Sequence, residues 1–161
     1  MTLTTNTNTT IQQRLQEMGL SMPALPPTPI GVFRNAVHVG NLLYISGQGP
    51  VLPDGKLLTG KVGGDISAET AKHHAAIVGT NILAVILQEL GDFSRVKQIV
   101  KLLGMVNATP DFTQHPFVIN GCSEMLGKLF QEAGQHARSA VGVGSLPNNI
   151  TVEIEAIVEY E

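Results

Sequence analysis

Val96-Lys-Gln-Ile-Val-Lys-Leu-Leu-Gly-Met-Val106 is the run on which the fold reading turns. Ile99, Val100, Leu102, Leu103, Met105 and Val106 leave it nearly apolar on both faces, the pattern of a strand with neighbours on each side. Upstream, Ser67 stands where a helix N-cap belongs. Ala71, Ala75, Val78, Ile82 and Val85 then form one stripe at helical spacing, and Gly91 ends a helix reaching about Leu90. Downstream, Pro116 suits the first turn of a second helix whose face is Val118, Cys122, Met125, Leu129 and Ala133, closed by Gly134. Two strands follow, Arg138 to Val143 and Ile150 to Glu159, separated by Leu146-Pro147-Asn148-Asn149. Towards the N-terminus, Phe33 to His38 and Leu42 to Ser46 read as a hairpin around Gly40-Asn41, with Ser46-Gly47-Gln48-Gly49-Pro50 breaking the second strand.

The order (α)ββαβαββ predicts an α+β fold, with one mixed sheet and two main helices on one of its faces. Two helices leave the other face uncovered, although the strands at 42–46 and 96–106 are apolar on both sides. A second copy of the same chain is the simplest cover. Before the hairpin, Thr/Asn-rich residues 1–10 are expected to be flexible. A short helix carrying Ile11, Leu15 and Met18 follows, with Thr10 as its cap and Gly19 at its end. Pro23, Pro26, Pro27 and Pro29 then impose an extended arm.

Composition narrows the function classes. Of 161 residues, 43% are hydrophobic and 14% charged, which excludes a largely disordered chain and favours self-association. Ten Lys and Arg against thirteen Asp and Glu give a net charge of −3; with 4% aromatics and no Trp, neither a basic groove nor a base-stacking platform is offered to nucleic acid. Cys122 is the only cysteine, which points to a reducing compartment. The first residues lack a signal-peptide pattern, and the longest apolar run, Ile77 to Leu87, falls short of the roughly 18 residues of a membrane span. The expectation is a cytoplasmic protein, so the Asn-x-Thr triplets at Asn8, Asn107 and Asn149 read as chance matches.

No metal site is expected. The five histidines include no i, i+4 pair, and adjacent His73 and His74 diverge by about 100° on a helix, the ordinary reading being two solvated side chains. Cys122, on an apolar stripe, reads as core. Gly49-x5-Gly55-Lys56-Leu57 misses the phosphate-loop spacing and its final Ser/Thr. The chemistry concentrates later. Arg138 opens an apolar strand, where burial is costly unless a planar anion meets its fork. Glu153 and Glu155 alternate with Val152, Ile154 and Ala156 and share a face with Ile157. The bland alternative is a wet face on which Arg138 pairs with one of these glutamates.

Arg138-Ser139-x-Val-x-Val-x-x-Leu146-Pro147 followed by Val152-Glu-Ile-Glu-Ala-Ile157 resembles the C-terminal signature of the Rid family (YjgF-like; reactive intermediate deaminases). Ile30-Gly31-x-Phe33 and Gly40-Asn41-Leu-Leu-Tyr-Ile-Ser46-Gly47-Gln48 resemble its N-terminal motif, and Asn120 matches an asparagine of its second helix. The resemblance spans about Pro29 to Glu159. It divides the chain into an N-terminal extension (1–28, short helix plus Pro-rich arm) and a Rid/YjgF-like domain (29–161) of a longer subgroup. It implies a chorismate-mutase-like fold assembled as a homotrimer with clefts between subunits, and hydrolysis of 2-enamino or 2-imino acids to 2-oxo acids and ammonia without metal or organic cofactor. By the same resemblance Arg138 holds the substrate carboxylate and Glu153 orients or activates water. Phe33, Ser46, Gly47, Asn120, Ser139 and Ala140 belong to the substrate-binding positions. Two departures stand out: Phe33 where the prototype has tyrosine, and Ala140 where it often has cysteine. His136 and Cys122 are candidates to line the altered pocket, against plainer roles at the rim and in the core. The rival readings are a non-catalytic trimeric binder of small carboxylates and a single-strand ribonuclease or translation inhibitor. The acidic balance argues against the last.

Overall fold

A computed structural model describes residues 6–161. Its elements run α1 (Thr7–Glu17), β1 (Ala36–Val39), β2 (Leu42–Gln48), α2 (Ala68–Leu90), β3 (Val96–Asn107), α3 (His115–Phe130), β4 (Ala137–Val143) and β5 (Val152–Tyr160), with 3-10 turns at Phe93–Arg95, Gln131–Gly134 and Pro147–Asn149. One five-stranded sheet is ordered β1-β2-β5-β3-β4. β5 is antiparallel to both β2 and β3, and β4 is parallel to β3, so β2, β3 and β4 all point the same way. Two crossovers join them, β2-α2-β3 and β3-α3-β4, and both step in one direction across the sheet. Parallel crossovers share one hand, so both helices fall on the same face. The expected two-layer α+β arrangement follows from that rule.

The covered face holds the core. Leu43, Ile45, Ile99, Leu102, Val106, Ile154, Ala156 and Val158 meet Ala71, Ala75, Val78, Ile82 and Val85 of α2 and Val118, Cys122, Met125 and Leu129 of α3, all buried. The open face is different: Val37 (51%), Val39 (57%), Tyr44 (43%) and Val141 (42%) stay exposed around Leu103, Met105 and Ile157. These exposed apolar side chains, interspersed with Lys101, Glu153 and Glu155, make the open face a candidate association surface.

α2 and α3 approach closely at Gly121, where a Cβ would collide with the Lys72 backbone carbonyl and then with the Lys72 side chain. Backbone cannot retreat as a side-chain tip can. Gly121→Ala is therefore expected to lower stability by about 1–3 kcal/mol, read as a lower urea midpoint, whereas Gly127→Ala, in open space on the same helix, is expected to raise it by roughly 0.5–1 kcal/mol through helix propensity.

Several local expectations need correction. The first helix starts at Thr7 and is capped by Asn6, whose side chain accepts from Asn8 N–H at 2.8 Å, not by Thr10. Residues 6–10 are thus ordered rather than flexible; residues 1–5 lie outside the described chain. Asn8 in turn accepts from Phe93 N–H (2.8 Å), and Arg14 donates to the Leu129 carbonyl (2.7 Å), which seats Ile11 and Leu15 in the common core. Phe33 precedes the first strand instead of opening it. β2 runs through Ser46 and Gly47 to Gln48, because an irregularity between Ile45 and Gln48 lets the ladder with β5 resume. α3 stops at Phe130, and Gly134 closes the following 3-10 turn instead.

Candidate active site

β4 is an edge strand, and alternation along it sorts the site residues. Arg138 is level with Leu102 and Ala156, which face the helices, so its side chain also reaches towards α3. There Nη1 donates to Asn120 Oδ1 (2.8 Å) and Ser123 Oγ (3.1 Å). No carboxylate lies within salt-bridge distance of the guanidinium among the described residues, so the bland pairing with Glu153 or Glu155 does not occur. Nη1 is occupied, whereas Nε and Nη2, the side-on fork that matches a carboxylate, have no protein partner among the described residues. The cause is positional: no acidic residue stands on the helix-facing side of β4 or on the facing turn of α3.

Glu153 lies elsewhere. It is level with Met105 and Val141 on the open face, and three residues plus two strands separate it from Arg138, about 14 Å between Cα atoms. Within one chain the two groups are on opposite faces of the sheet. Glu153 ends a cleft of about 370 Å³ shared with Phe33, Gly47, Gln48, Pro147 and the arm residues Pro27 to Ile30. The arm is tied down where Asn35 donates to the Pro27 carbonyl (2.8 Å). Gly47 is what admits the carboxylate, since a Cβ there would sit 2.9 Å from Glu153 Cδ. Burial, then the charge of Glu155, pushes the Glu153 pKa above its usual 4.5.

That shift carries a stability prediction. A carboxyl whose folded pKa is raised leaves stability intact at low pH and erodes it as pH rises through the folded pKa. Glu153→Gln is therefore expected to raise the urea midpoint at pH 7 and to leave it nearly unchanged below about pH 4. A lower midpoint at pH 7 would show that the carboxylate is better solvated than its surroundings indicate.

The remaining expected positions divide between these places. Asn120 meets Arg138, and Phe33 and Gly47 meet Glu153. Ser46 lines a separate hollow on the open face with Tyr44, Lys101 and Glu155, and its hydroxyl donates to the Arg34 carbonyl (2.6 Å). Ser139 is exposed on that same face, and Ala140 packs partly against the core. Cys122 is fully buried, its thiol pushed up to about 12 by burial, and it is core as its plainer reading has it. His74 is not solvated: it is buried, and its Nδ1 lies 2.8 Å from the Oγ1 of Thr151, the residue directly before β5. His136 is no mere rim residue either; it is half-buried and bonded to Ser123 Oγ (2.9 Å). Ser123 itself was not legible, since a serine on a helix carries no spacing signal.

Burial, then His73, lowers the His74 pKa, and burial, with Arg138 adding to it, lowers that of His136 against the Gly134 carbonyl. A depressed histidine pKa lends stability above about pH 6.5 that is lost as pH falls through the folded value. Urea midpoints are accordingly expected to drop between pH 7 and pH 5, by less in His74→Gln.

Comparison with known proteins agrees with this architecture. Residues 12–159 match the family described as "YjgF/chorismate_mutase-like, putative endoribonuclease". The chain belongs to that family. The Rid-like motifs, the chorismate-mutase-like fold and the mixed sheet are thereby borne out. Protein TCP17 of Trypanosoma cruzi is 35% identical over 92% of this chain and 93% of its own. A 2-iminobutanoate/2-iminopropanoate deaminase of Dermatophagoides farinae is 33% identical over 85% and 92%. A crystal structure of an Agrobacterium tumefaciens protein of unknown function superposes with a TM-score of 0.89 at 40% identity, covering 96% of each chain. No helix among the described residues is long and apolar enough to cross a membrane, and no three His, Cys, Asp or Glu side chains among them gather as metal ligands would.

Proposed function

We propose that this YjgF-family protein hydrolyses reactive 2-imino and 2-enamino acids to 2-oxo acids and ammonia, as a cytoplasmic homotrimer whose sites are completed between copies. The observation that carries the reading is the Nε/Nη2 fork of Arg138, held from behind by Asn120 and without a hydrogen-bond or carboxylate partner among the described residues. A 2-imino acid offers that fork a planar carboxylate, which fixes the adjacent C=N carbon. Glu153 takes a proton from water as the water oxygen adds to the carbon of the protonated imine and the C=N pair moves to nitrogen, giving a neutral carbinolamine. Glu153 returns that proton to the nitrogen, which leaves as ammonia while a hydroxyl lone pair forms the C=O bond, and the hydroxyl proton passes back to the Glu153 carboxylate and on to solvent. A carboxylate with a raised pKa suits both halves of that exchange. Arg138 and Glu153 face opposite sides of the sheet, so one small substrate reaches both only if they come from different chains. The uncovered apolar face supplies the surface on which those chains meet. The relative named as an imine deaminase supports the reaction class.

The cleft beside Glu153 is walled mainly by Pro27, Pro29, Phe33, Val51, Leu57 and Pro147, so the fit is to an uncharged, apolar side chain. Ser46, Ser139 and Ala140 belong in this reading to the seam between copies. The test is ammonia release from imino acids made in situ by an amino-acid oxidase. Arg138→Ala and Glu153→Gln are each expected to remove the acceleration, about a hundredfold or more. If the wild type binds 2-oxo acids through Arg138 but never speeds release, the protein is a carboxylate binder, an outcome that Phe33 in place of a hydroxyl-bearing residue favours. If wild type and Arg138→Ala are equally inert in both binding and turnover, the reading fails.

A further inference from the structure

Behind Arg138 runs a second layer of polar contacts that neither the family motifs nor the reaction calls for. His136 Nδ1 lies 2.8 Å from the Gly134 carbonyl, which can only accept, so Nδ1 carries the ring proton. In the neutral ring Nε2 is then an acceptor, and its neighbour at 2.9 Å is Ser123 Oγ, which donates. The Ser123 oxygen, its proton so committed, presents a lone pair to Arg138 Nη1 at 3.1 Å. Asn120 Oδ1 takes the other Nη1 hydrogen at 2.8 Å. Both hydrogens of one guanidinium nitrogen are thereby used, which fixes the plane of the group and turns Nε and Nη2 outward.

We propose that Ser123 and His136 are positioning residues for Arg138, a hydrogen-bonded relay anchored on the Gly134 carbonyl that pre-orients the carboxylate-binding fork. The inference rests on the reading of Arg138 as the carboxylate anchor. Three features of the fold make the relay rigid. Ser123 is on α3 one turn from Asn120, so both oxygens address the same nitrogen. His136 is two residues ahead of Arg138, directly before β4, so the turn that ends α3 sets the ring and the strand together. The imidazole is half-buried, and that burial together with the adjacent guanidinium keeps it in the neutral form the relay needs. A loose arginine would lose side-chain entropy on binding, whereas this one has already lost it on folding.

The experiment uses the full chain, with 2-oxobutanoate as the binding probe and in situ imino acids for turnover. Ser123→Ala and His136→Leu are expected to raise the 2-oxobutanoate Kd and the KM about tenfold with kcat within about twofold, the loss of one charge-assisted contact. His136→Gln, whose Oε1 can accept from Ser123, is expected to recover most of that loss. Rescue by the acceptor, with the urea midpoints of His136→Gln and His136→Leu compared, separates positioning from simple destabilisation. Imidazole nitrogen spectra of the ligand-free wild type should show His136 neutral and protonated on Nδ1. If binding depends on Arg138 but is indifferent to Ser123→Ala and His136→Leu, the relay is overturned and the anchor stands. If nothing binds through Arg138, the anchor falls and the relay with it. The opposite tautomer overturns the relay whatever the ligand does.

Discussion

Mixed assemblies of Arg138→Ala and Glu153→Gln chains, inactive separately, are expected to regain about a quarter of wild-type turnover when refolded together in equal amounts. The figure follows from the faces of the sheet. Each proposed site takes Arg138 from one chain and Glu153 from a neighbour, so an intact site needs a Glu153→Gln chain on one side and an Arg138→Ala chain on the other. With random assembly each condition is met half the time, giving about one site in four for any closed ring of copies. If both groups acted from one chain, no mixture would contain an intact site and recovery would be zero. The measurement is ammonia release per total chain, with each variant alone as the blank. Zero recovery from assemblies shown to be mixed would remove the inter-chain site while leaving each residue's own importance intact. The geometry makes the alternative hard to build: Arg138 is level with Ala156 and Glu153 with Val141, on opposite sides of a sheet whose strands do not part.

What could be read from the chain beforehand, and what could not, has a physical division. The β3 run and the stripe at Ala71, Ala75, Val78, Ile82 and Val85 announce themselves because period and polarity agree, and both occur as expected. The single covered face was legible too, from counting helices against two-faced strands. Short polar-ended segments were not. Asn6 rather than Thr10 caps α1, at the start of a helix whose first turn is tied by a contact 85 residues away, between Asn8 and Phe93. Strand parity placed Glu153, Glu155 and Ile157 together on one face, and they are. That Arg138 points the other way needed the register of β4 on β3, a long-range fact that no local pattern contains. The same limit hid Ser123 and the burial of His74, each defined by a partner far off in sequence.

Asn107 shows that limit most sharply, and replacing it is expected to be the most damaging change to stability considered. In the sequence it is only the head of a chance Asn-x-Thr triplet. In the fold it is fully buried at the end of β3. Its Oδ1 accepts from Lys61 Nζ (2.7 Å), while Nδ2 faces three acceptors: the carbonyls of Gly60 (3.2 Å) and Ile150 (3.1 Å), and Asn149 Oδ1 (3.0 Å). Two hydrogens serve three oxygens, so one is shared. These contacts hold the segment Pro147 to Ile150, in which Asn148 (φ 54°) and Asn149 (φ 58°) occupy the left-handed region that asparagine tolerates better than most residues. Pro147, Asn148 and Ile150 in turn wall the Glu153 cleft. Asn107→Ala leaves the Lys61 ammonium with the Gly144 carbonyl as its remaining acceptor and strips a donor from the buried Gly60 and Ile150 carbonyls and from the Asn149 side-chain oxygen. The expected cost is about 2–4 kcal/mol, or roughly 5–15 °C in Tm for a domain of this size. Lys61→Met removes the charge that Asn107 satisfies, so Asn107→Ala should cost less in that background, a coupling that a double-mutant cycle reads directly. At temperatures where Asn107→Ala is still folded, its KM should rise, since the cleft wall it restrained is free to move. A loss under about 0.5 kcal/mol would mean that water replaces the amide without penalty, and that the loop holds its left-handed turns unaided.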